Sequence, residues 1–365
     1  MMIRTRAALV LATSLVSVAC LRPTEQRAER DLEVGKTQVS GARFVVSDGL
    51  AAVRQASESK LVLWSSAPAY TLRAELSAGA PTTWELSVRN CLFDTVLEAP
   101  GAIIEELPAA LETEKAWRVE LPPATITTLR IAPPDADTPG PFQFALLSDV
   151  QEAIDRLVDI HERINSERGV RFLLGAGDLT RQGGADELEC YQRELRSLRV
   201  PYYTTLGNHE LGTDDGRAWQ QYFGRASFRF VYRGVQFSMI DSGSATLDPL
   251  VYDWLDGWLR EGEDRLHIAA MHVPPVDPIG VRNGSFASRN EAAKLLVKLA
   301  TAGVDLTVYG HIHSYYEFEN AGIPARISGG GGAIPERFDG YGRHFLVVDV
   351  DGEQSSVATR IVQVD

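Results

Sequence analysis

The sequence predicts a small all-β domain followed by an α/β domain in which two sheets lie between helices, a four-layer α/β/β/α arrangement. Three observations predict this fold class. Stretches of β-forming residues fill the first part of the chain, a proline-rich segment follows near residue 135, and short apolar runs then alternate with amphipathic helical patterns. A chain of 365 residues that is 44% hydrophobic is long enough for two globular domains.

The first twenty residues have the pattern of an export signal. Arg4 and Arg6 precede an apolar run that ends at Cys20 and is too short to span a bilayer comfortably. The stretch SVAC resembles a bacterial lipoprotein signal, although Ser17 stands where that pattern prefers leucine. We therefore expect residues 1–20 to be a signal peptide and the protein to be an exported lipoprotein, periplasmic or at the cell surface, with a membrane anchor at Cys20. Cleavage without lipid and an uncleaved anchor are the alternatives.

The next segments differ in composition. Residues 21–41 are rich in charge and predict a tether. Residues 42–134 contain LVLWSS, TTWELSVRN and TTLRIAPP, where β-formers cluster or alternate between turn residues, and they predict a β-sandwich. The stretch IAPPDADTPGPF is too rich in proline for a helix or a central strand, so residues 135–141 are expected to be a linker and residues 142–365 the second domain.

Charge and cysteine content restrict the partners. A formal net charge of −13 argues against indiscriminate binding to nucleic acid, so we expect no nucleic-acid partner. Beyond the signal only Cys91 and Cys190 remain, far apart in the sequence. Export would permit a disulfide between them without requiring one. The sequence does not indicate the oligomeric state.

After the linker, apolar runs followed by helices predict crossover connections and a largely parallel central sheet. Ligand sites in such sheets lie beyond the carboxyl ends of the strands. Polar residues follow five of the runs: Asp149 after FALLS, Asp178 after FLLGAG, Asn208 and His209 after TTLG, His272 after IAAM, and His311 and His313 after TVYG. A single carboxylate there would be read as a helix cap, but the series predicts a metal site.

Other histidines and aromatic residues have plainer interpretations. His161 falls on a predicted helix, and His267 and His344 fall beside or within predicted strands, where a structural role is expected. Tyr315 and Tyr316 either stack on an aromatic leaving group or pack in the core. The run ISGGGGA predicts a turn that approaches the site closely, and DVDGEQ predicts a hairpin turn in a second sheet.

The motifs SDVQ, GDLT, GNHE, MHVPP and GHIH, in this order, resemble those of the calcineurin-like metallophosphoesterase family. The resemblance covers about residues 142 to 365. A β-domain ahead of such a domain is similar to the arrangement of purple acid phosphatases. The extra tyrosine that those enzymes place after the GD motif has no obvious counterpart here.

The resemblance implies a metallophosphoesterase, a hydrolase of phosphomonoesters or small phosphodiesters that acts by attack of a hydroxide bridging two divalent metal ions, Mn, Fe or Zn. A phosphorylated small molecule would be the substrate. By resemblance, one ion is held by Asp149, Gln151, Asp178 and His313, and the other by Asp178, Asn208, His272 and His311. His209 is the candidate for protonating the leaving oxygen or stabilising it by hydrogen bonding. Arg181, Arg282 and Asn283 either contact substrate phosphate or are simply exposed to solvent.

One residue departs from the family's pattern. The first motif is usually Asp, any residue, His, whereas here Gln151 occupies the third position. A glutamine oxygen binds metals more weakly than a histidine nitrogen, so three interpretations stay open: weakened two-metal catalysis, a one-metal or altered enzyme, and a non-catalytic relic. The rival of another class is a cell-surface binding protein whose β-domain recognises a partner.

Overall fold

The structure is a computed structural model that describes residues 23–212, 214–280, 284–338 and 341–364. The expected signal peptide and its Cys20 lie outside these ranges. Within them, no helix is both long and apolar enough to cross a membrane.

The N-terminal part consists of two five-stranded sheets, with strand orders β1-β2-β5-β10-β7 and β3-β4-β6-β9-β8. The strands are β1 (Lys36–Val39), β2 (Ala42–Val46), β3 (Ala51–Ser57), β4 (Lys60–Ser65), β5 (Tyr70–Leu76), β6 (Thr83–Arg89), β7 (Val96–Glu98), β8 (Ile103–Leu107), β9 (Glu114–Glu120) and β10 (Ile126–Ala132). Burial alternates along β5 and β6, because successive side chains of a strand point to opposite faces. The inward side chains share one core, in which the Phe44 and Trp84 rings meet edge to face at 4.8 Å. The predicted all-β region is therefore confirmed.

The C-terminal part has two more sheets, of order β13-β12-β11-β20-β21 and β14-β15-β16-β17-β19-β18. The strands are β11 (Pro141–Leu147), β12 (Val170–Ala176), β13 (Tyr202–Thr205), β14 (Phe228–Tyr232), β15 (Val235–Ile240), β16 (His267–Met271), β17 (Leu306–Tyr309), β18 (Tyr315–Asn320), β19 (Ile323–Ser328), β20 (His344–Asp351) and β21 (Ser356–Gln363). One helix, α1 (Pro23–Asp31), precedes the N-terminal sheets in the sequence. The helices of the C-terminal part are α2 (Leu157–Asn165), α3 (Ala185–Glu194), α4 (Arg217–Tyr222), α5 (Pro249–Glu261) and α6 (Arg289–Thr301).

These two sheets face each other across an aromatic core. Phe144 of β11 and Phe172 of β12 belong to one sheet and Phe237 of β15 to the other, and their ring centroids lie 5.4 to 5.6 Å apart. The four-layer fold class is confirmed. The parallel strands are divided between both sheets, however, with β11, β12 and β13 in one and β15, β16, β17 and β19 in the other, so there is no single central sheet.

The segment expected to be a tether, residues 21–41, is folded over its described part. Helix α1 places Arg27 in a buried position, with 1% of its side chain exposed, where its Nε donates to Asp241 Oδ2 at 2.8 Å. Asp31 is also buried and accepts a hydrogen bond from the Ser227 backbone N–H at 2.9 Å. The tether prediction is wrong here because charged side chains that suggested solvent exposure find partners about 200 residues further along the chain.

Both cysteines beyond the expected signal are free thiols. Cys91 is buried two residues beyond β6, with Sγ 3.6 Å from the Thr113 carbonyl oxygen. Cys190 lies on α3, where its sulfur accepts a hydrogen bond from Arg193 at 2.9 Å. The disulfide that the sequence left open is absent from this structure.

Candidate active site

The polar residues predicted at the strand ends meet at one edge of the two C-terminal sheets. They follow the carboxyl ends of β11, β12 and β13 in one sheet and of β16 and β17 in the other: Asp149, Gln151, Asp178, Asn208, His209, His272, His311 and His313. Because the two sheets pack face to face, loops from both reach the same point. The side chains described below form one cluster.

Unusual backbone conformations direct several of these side chains. Four non-glycine residues of the cluster have positive φ: Asp149 at 62°, Gln151 at 50°, Asp178 at 54° and His311 at 70°. Such conformations are uncommon and concentrate at functional sites. The Asp149 N–H donates to the Gly177 carbonyl at 3.1 Å, which ties the first loop to the second. A Cβ on Gly177 would lie 2.6 Å from the Gly207 nitrogen, so only glycine allows the second loop to pack against the loop after β13.

One half of the cluster, which we call the asparagine site, comprises Asn208, His272, His311 and the shared Asp178. His272 donates its Nδ1 proton to the Ala176 carbonyl at 2.7 Å, so its inward Nε2 carries a lone pair when the ring is neutral. That Nε2 lies 2.9 Å from Asn208 Oδ1 and 3.2 Å from Asp178 Oδ2. His311 Nδ1 approaches Asn208 Oδ1 at 2.8 Å. His311 can donate from Nδ1 to this oxygen, but the Nε2 lone pair of a neutral His272 faces two acceptor oxygens, which requires a proton or a cation between them.

Electrostatics agree with this requirement. Burial disfavours the charged form of His272, but the charge and hydrogen bond of Asp178, the charge of Asp149 and the hydrogen bond to Ala176 together outweigh it and raise the pKa of His272 to about 9. For Asp178, burial alone would raise the pKa, but the histidine charges, with His272 foremost, lower it well below its usual range. In the absence of metal, a proton on His272 therefore fills the position that a cation would take.

The other half, which we call the glutamine site, comprises Asp149, Gln151, His313 and the same Asp178. His313 donates from Nδ1 to the Ile334 carbonyl at 2.7 Å, and its Nε2 lies 3.5 Å from Asp149 Oδ1. The amide nitrogen of Gln151 lies 3.0 Å from Asp178 Oδ2 and 3.2 Å from His313 Nε2. An N–H donor, rather than the amide oxygen, therefore faces the acceptors. Ligation of a metal through the glutamine oxygen requires the amide to turn over.

The cluster fits divalent metal ions. Ligand atoms of Asp178, His272 and His311 lie within 4.8 Å of one another, and so do those of Asp149, Asp178 and His313. Asp178 belongs to both groups, as expected of a carboxylate that bridges two ions. Within the described residues the ion-pair partners of Asp149 and Asp178 are histidines, with no lysine or arginine to neutralise the carboxylates. The asparagine site fits an ion as it stands, and the glutamine site fits one after rotation of the amide.

Glu210 is a neighbour of the site that sequence analysis did not single out. Its carboxylate is fully buried and accepts hydrogen bonds from the backbone N–H groups of Asp178 and Thr180 at 2.9 Å and of Gly207 at 2.8 Å. It also accepts from Thr180 Oγ1 at 3.0 Å. Glu210 therefore joins the loop after β12 to the loop after β13. The GNHE motif contained this residue, but nothing about a glutamate next to a histidine indicated that it points inward.

His209 and Arg181 lie at the mouth of the cluster. The backbone N–H of His209 donates to Asp178 Oδ1 at 2.9 Å, and the ring Nδ1 of His209 donates to the Arg181 carbonyl at 2.7 Å. Its Nε2 lies 3.8 Å from Asp178 Oδ2, and the side chain is 32% exposed. Arg181 is exposed and lines the same cleft. Arg282 and Asn283 lie outside the described residues, so their role stays a prediction.

The cleft at the cluster has a volume of about 750 Å³. Its lining residues are Gln151, Glu152, Arg181, His209, His313, Ile334, Pro335, Glu336, Arg337 and Phe338. The glycine run leads into this wall: Gly331 N–H donates to the Ser148 carbonyl at 2.9 Å, and a Cβ on Gly329 would lie 2.3 Å from the Ile312 oxygen. The close approach predicted for this turn is confirmed.

The remaining candidates lie apart from the cluster. His161 and His267 are buried and hydrogen-bond to serine hydroxyls, and burial lowers the pKa of each to about 4. His344 is likewise buried. Tyr315 packs against the Tyr341 ring at 5.6 Å, and neither Tyr315 nor its neighbour Tyr316 is among the residues that line the cleft. The expectation of core packing for the tyrosines fits this arrangement.

Comparison with known proteins agrees with the fold. The family model described as calcineurin-like phosphoesterase matches residues 142–315. A 3′,5′-cyclic-nucleotide phosphodiesterase of Nostoc sp. is 25% identical over 152 residues, which are 40% of this chain and 56% of that protein. The chain thus spans about half the length of this curated relative.

A solved structure supports the fold over a larger part of the chain. A purple acid phosphatase from yellow lupin (Lupinus luteus) seeds is similar over 81% of this chain and 70% of its own, with a TM-score of 0.54 and 14% identity. At this identity the likeness concerns the fold, and it agrees with the β-domain arrangement that the sequence predicted. The α/β part of the chain, over residues 142–315, is a calcineurin-like phosphoesterase domain.

Proposed function

We propose that the protein is a metal-dependent phosphoesterase that hydrolyses phosphomonoesters or small phosphodiesters. One observation carries the proposal: the two groups of Asp and His ligand atoms converge on the shared Asp178 beside an open cleft. The family of the domain supports this activity. The name of the Nostoc relative, a 3′,5′-cyclic-nucleotide phosphodiesterase, supports small phosphodiesters as candidate substrates.

The two sites would each hold a divalent ion, with the ligands assigned by the family resemblance. Bound ions of this kind polarise phosphoryl oxygens and lower the pKa of a bound water. The imidazole and amide ligands add binding atoms without negative charge, so two dications would face only the carboxylates of Asp149 and Asp178. The cavity would then attract phosphate although the protein carries a net charge of −13.

Other side chains would act directly on the substrate. The exposed guanidinium of Arg181 is suited to two phosphate oxygens at once. His209 donates its Nδ1 proton to a carbonyl, so Nε2 carries a proton only when the ring is an imidazolium. That proton would pass to the leaving oxygen as the P–O bond breaks, and water would supply the new oxygen on phosphorus. The products are an alcohol and a phosphate or phosphomonoester.

Hydrolysis assays test the proposal. The protein, loaded in turn with Mn²⁺, Fe²⁺ and Zn²⁺, is assayed with 4-nitrophenyl phosphate, bis(4-nitrophenyl) phosphate and 3′,5′-cyclic AMP. We expect turnover that a chelator removes and metal restores. His209→Ala is expected to lower kcat for 3′,5′-cyclic AMP, whose leaving alkoxide needs a proton, by about a hundredfold or more, and to lower it less for the nitrophenyl esters, whose leaving group is weakly basic. Asp253→Asn, on the exposed face of α5, is the matched control. Metal-loaded protein that is inert to all three compounds would contradict the proposal and favour the binding-protein alternative.

We also propose export and lipid anchoring at Cys20, on the strength of the sequence pattern alone. The wild-type protein is expected in the membrane fraction of the cells that produce it. Cys20→Ser should release it from that fraction, whereas Cys190→Ser, which leaves the signal intact, should not. Equal membrane association of the wild type and Cys20→Ser would contradict lipid anchoring.

A further inference from the structure

Two large apolar side chains stand exposed beside the cluster. Ile334 is 75% exposed and Phe338 is 82% exposed, and both line the cleft. Among the large hydrophobic side chains that the structure describes, no other is as exposed as either of them. Apolar side chains concentrated at the rim of a polar cleft are typical of a surface that contacts a ligand. The mechanism proposed above assigns neither residue a role.

The segment that carries them is fixed relative to the cluster. The Ile334 carbonyl accepts the Nδ1 proton of His313 at 2.7 Å, and the Glu336 N–H donates to the His313 carbonyl at 3.0 Å. The Ala333 N–H, one residue before Ile334, donates to the Asp149 carbonyl at 2.9 Å. The apolar side chains therefore extend from a backbone that is bonded to two of the expected metal ligands. A group bound on them would sit at a defined position relative to a phosphate at the cluster.

Charge and size indicate what kind of ligand fits. Arg181 and Arg337 line the same cleft and can pair with phosphate oxygens, whereas Glu152 and Glu336 disfavour a second anionic group there. A volume of about 750 Å³ lies within the range of pockets for small organic ligands and exceeds what inorganic phosphate needs. The cleft thus suits one phosphate joined to an apolar group.

We infer that Ile334 and Phe338 form a subsite for a flat ring, a nucleobase or an aryl group, carried by the phosphoester substrate. This inference rests on the proposed function and names the substrate class of the same site. Phe338 supplies the ring on which such a group stacks, and Ile334 supplies an aliphatic surface beside it. The contact with an aromatic leaving group that the sequence left open for Tyr315 and Tyr316 is assigned here to Phe338.

Binding of two phosphonates tests the subsite without turnover, because their C–P bond is not a phosphoester. Phenylphosphonate and methylphosphonate share a head group and differ by the ring. Titration calorimetry on the metal-loaded protein should show tighter binding of phenylphosphonate. Phe338→Ala should weaken phenylphosphonate binding by about tenfold, as for loss of one stacked ring, and leave methylphosphonate unchanged. Ile334→Ala should likewise weaken phenylphosphonate binding and leave methylphosphonate binding unchanged. Ile103→Ala, at a side chain of β8 that is 68% exposed, is the matched control and should change neither.

Hydrolysis distinguishes the two sources of the ring. If the ring is a nucleobase, Phe338→Ala should raise KM for adenosine 5′-monophosphate more than KM for phenyl phosphate. A larger rise of KM for phenyl phosphate would indicate a simple aryl group. Equal binding of both phosphonates by the wild type, or equal loss of both in Phe338→Ala, would overturn the subsite even if phosphoesters are hydrolysed. Ring-dependent binding in a protein that hydrolyses no phosphoester would support the subsite and contradict the proposed function.

Discussion

The asparagine site and the glutamine site share Asp178 but satisfy their buried acceptors differently. In the asparagine site the oxygen of Asn208 faces two imidazole nitrogens at 2.8 and 2.9 Å. In the glutamine site the amide nitrogen of Gln151 donates toward a carboxylate and an imidazole at 3.0 and 3.2 Å. An amide side chain is present in each site: in one its oxygen faces two imidazole nitrogens, and in the other its nitrogen faces a carboxylate oxygen and an imidazole nitrogen.

This difference shows how glutamine at position 151, where the resembled family usually has histidine, lowers the need for a cation in the glutamine site. Buried acceptors that face one another are costly unless a proton or a metal lies between them. The N–H group of Gln151 meets that need within the protein, so the glutamine site is stable when empty. A metal must displace these hydrogen bonds before it binds there. We therefore expect the asparagine site to bind the first ion and to bind it more tightly.

The largest expected effect is at the residue that both sites share. Asp178→Asn removes the bridging carboxylate, so both sites should lose metal and hydrolysis should fall by at least about a thousandfold. This estimate is anchored to the ten- to hundredfold cost of removing an outer-shell partner, which a shared ligand should exceed. Elemental analysis and kcat/KM measure the two effects. Asp253→Asn should retain both, and metal content unchanged in Asp178→Asn would show that the two sites do not meet at this residue.

Truncating the two amides compares the sites directly. Asn208→Ala should weaken binding of the first metal ion by about ten- to a hundredfold, because it removes an oxygen that already points at the imidazoles. Gln151→Ala should change first-ion affinity much less, since it removes only N–H donors from the other site. Titration with Mn²⁺ gives both affinities. Equal losses in the two variants would break the proposed order of binding.

Glu210 offers a test of whether Asp178 must be held in place for both sites. In Glu210→Gln one carboxylate oxygen becomes an NH₂ group that faces backbone N–H donors, at a cost of about 1–3 kcal/mol in the free energy of unfolding. Because the lost bonds hold the backbone of Asp178 and Gly207, first-ion and second-ion affinities should fall together. Denaturant unfolding and metal titration measure these effects. Glu85→Gln, at an exposed side chain of β6 that pairs with Lys60, is the control. A loss of affinity confined to one site would contradict the role of Glu210 in holding the residue that both sites share.

Much of the site could be predicted because its residues follow strands in a regular way. Asp149, Asp178, His272 and His311 each come directly after an apolar run, and the ends of parallel strands share a sheet edge. The orientation of the Gln151 amide could not be predicted, because it depends on the Asp178 and His313 atoms that surround it.

Two other features depended on contacts distant in sequence. Charge alone suggested a solvent-exposed tether around Arg27, whereas its buried partner Asp241 lies more than 200 residues away. The exposed apolar side chain of Phe338 in the cleft was not predicted, because phenylalanine is usually buried. The division of parallel strands between two sheets was likewise decided by packing of the sheets against each other rather than by any local pattern.

The smallest expected effect on activity, and the sharpest test of the comparison, comes from Gln151→His. Histidine replaces the N–H donor by a ring nitrogen with a lone pair, so the metal content of the purified protein should rise from about one to about two ions per chain. Activity at saturating metal should rise only a few-fold, because the asparagine site is unchanged. Gln182→His, on the exposed loop after the GD motif, controls for adventitious binding by an added histidine. About two ions per chain in both the wild type and Gln151→His would mean that the glutamine site already holds its ion by turning the amide oxygen inward, which would contradict the contrast between the two sites. About one ion per chain in both proteins would count against metal binding at residue 151.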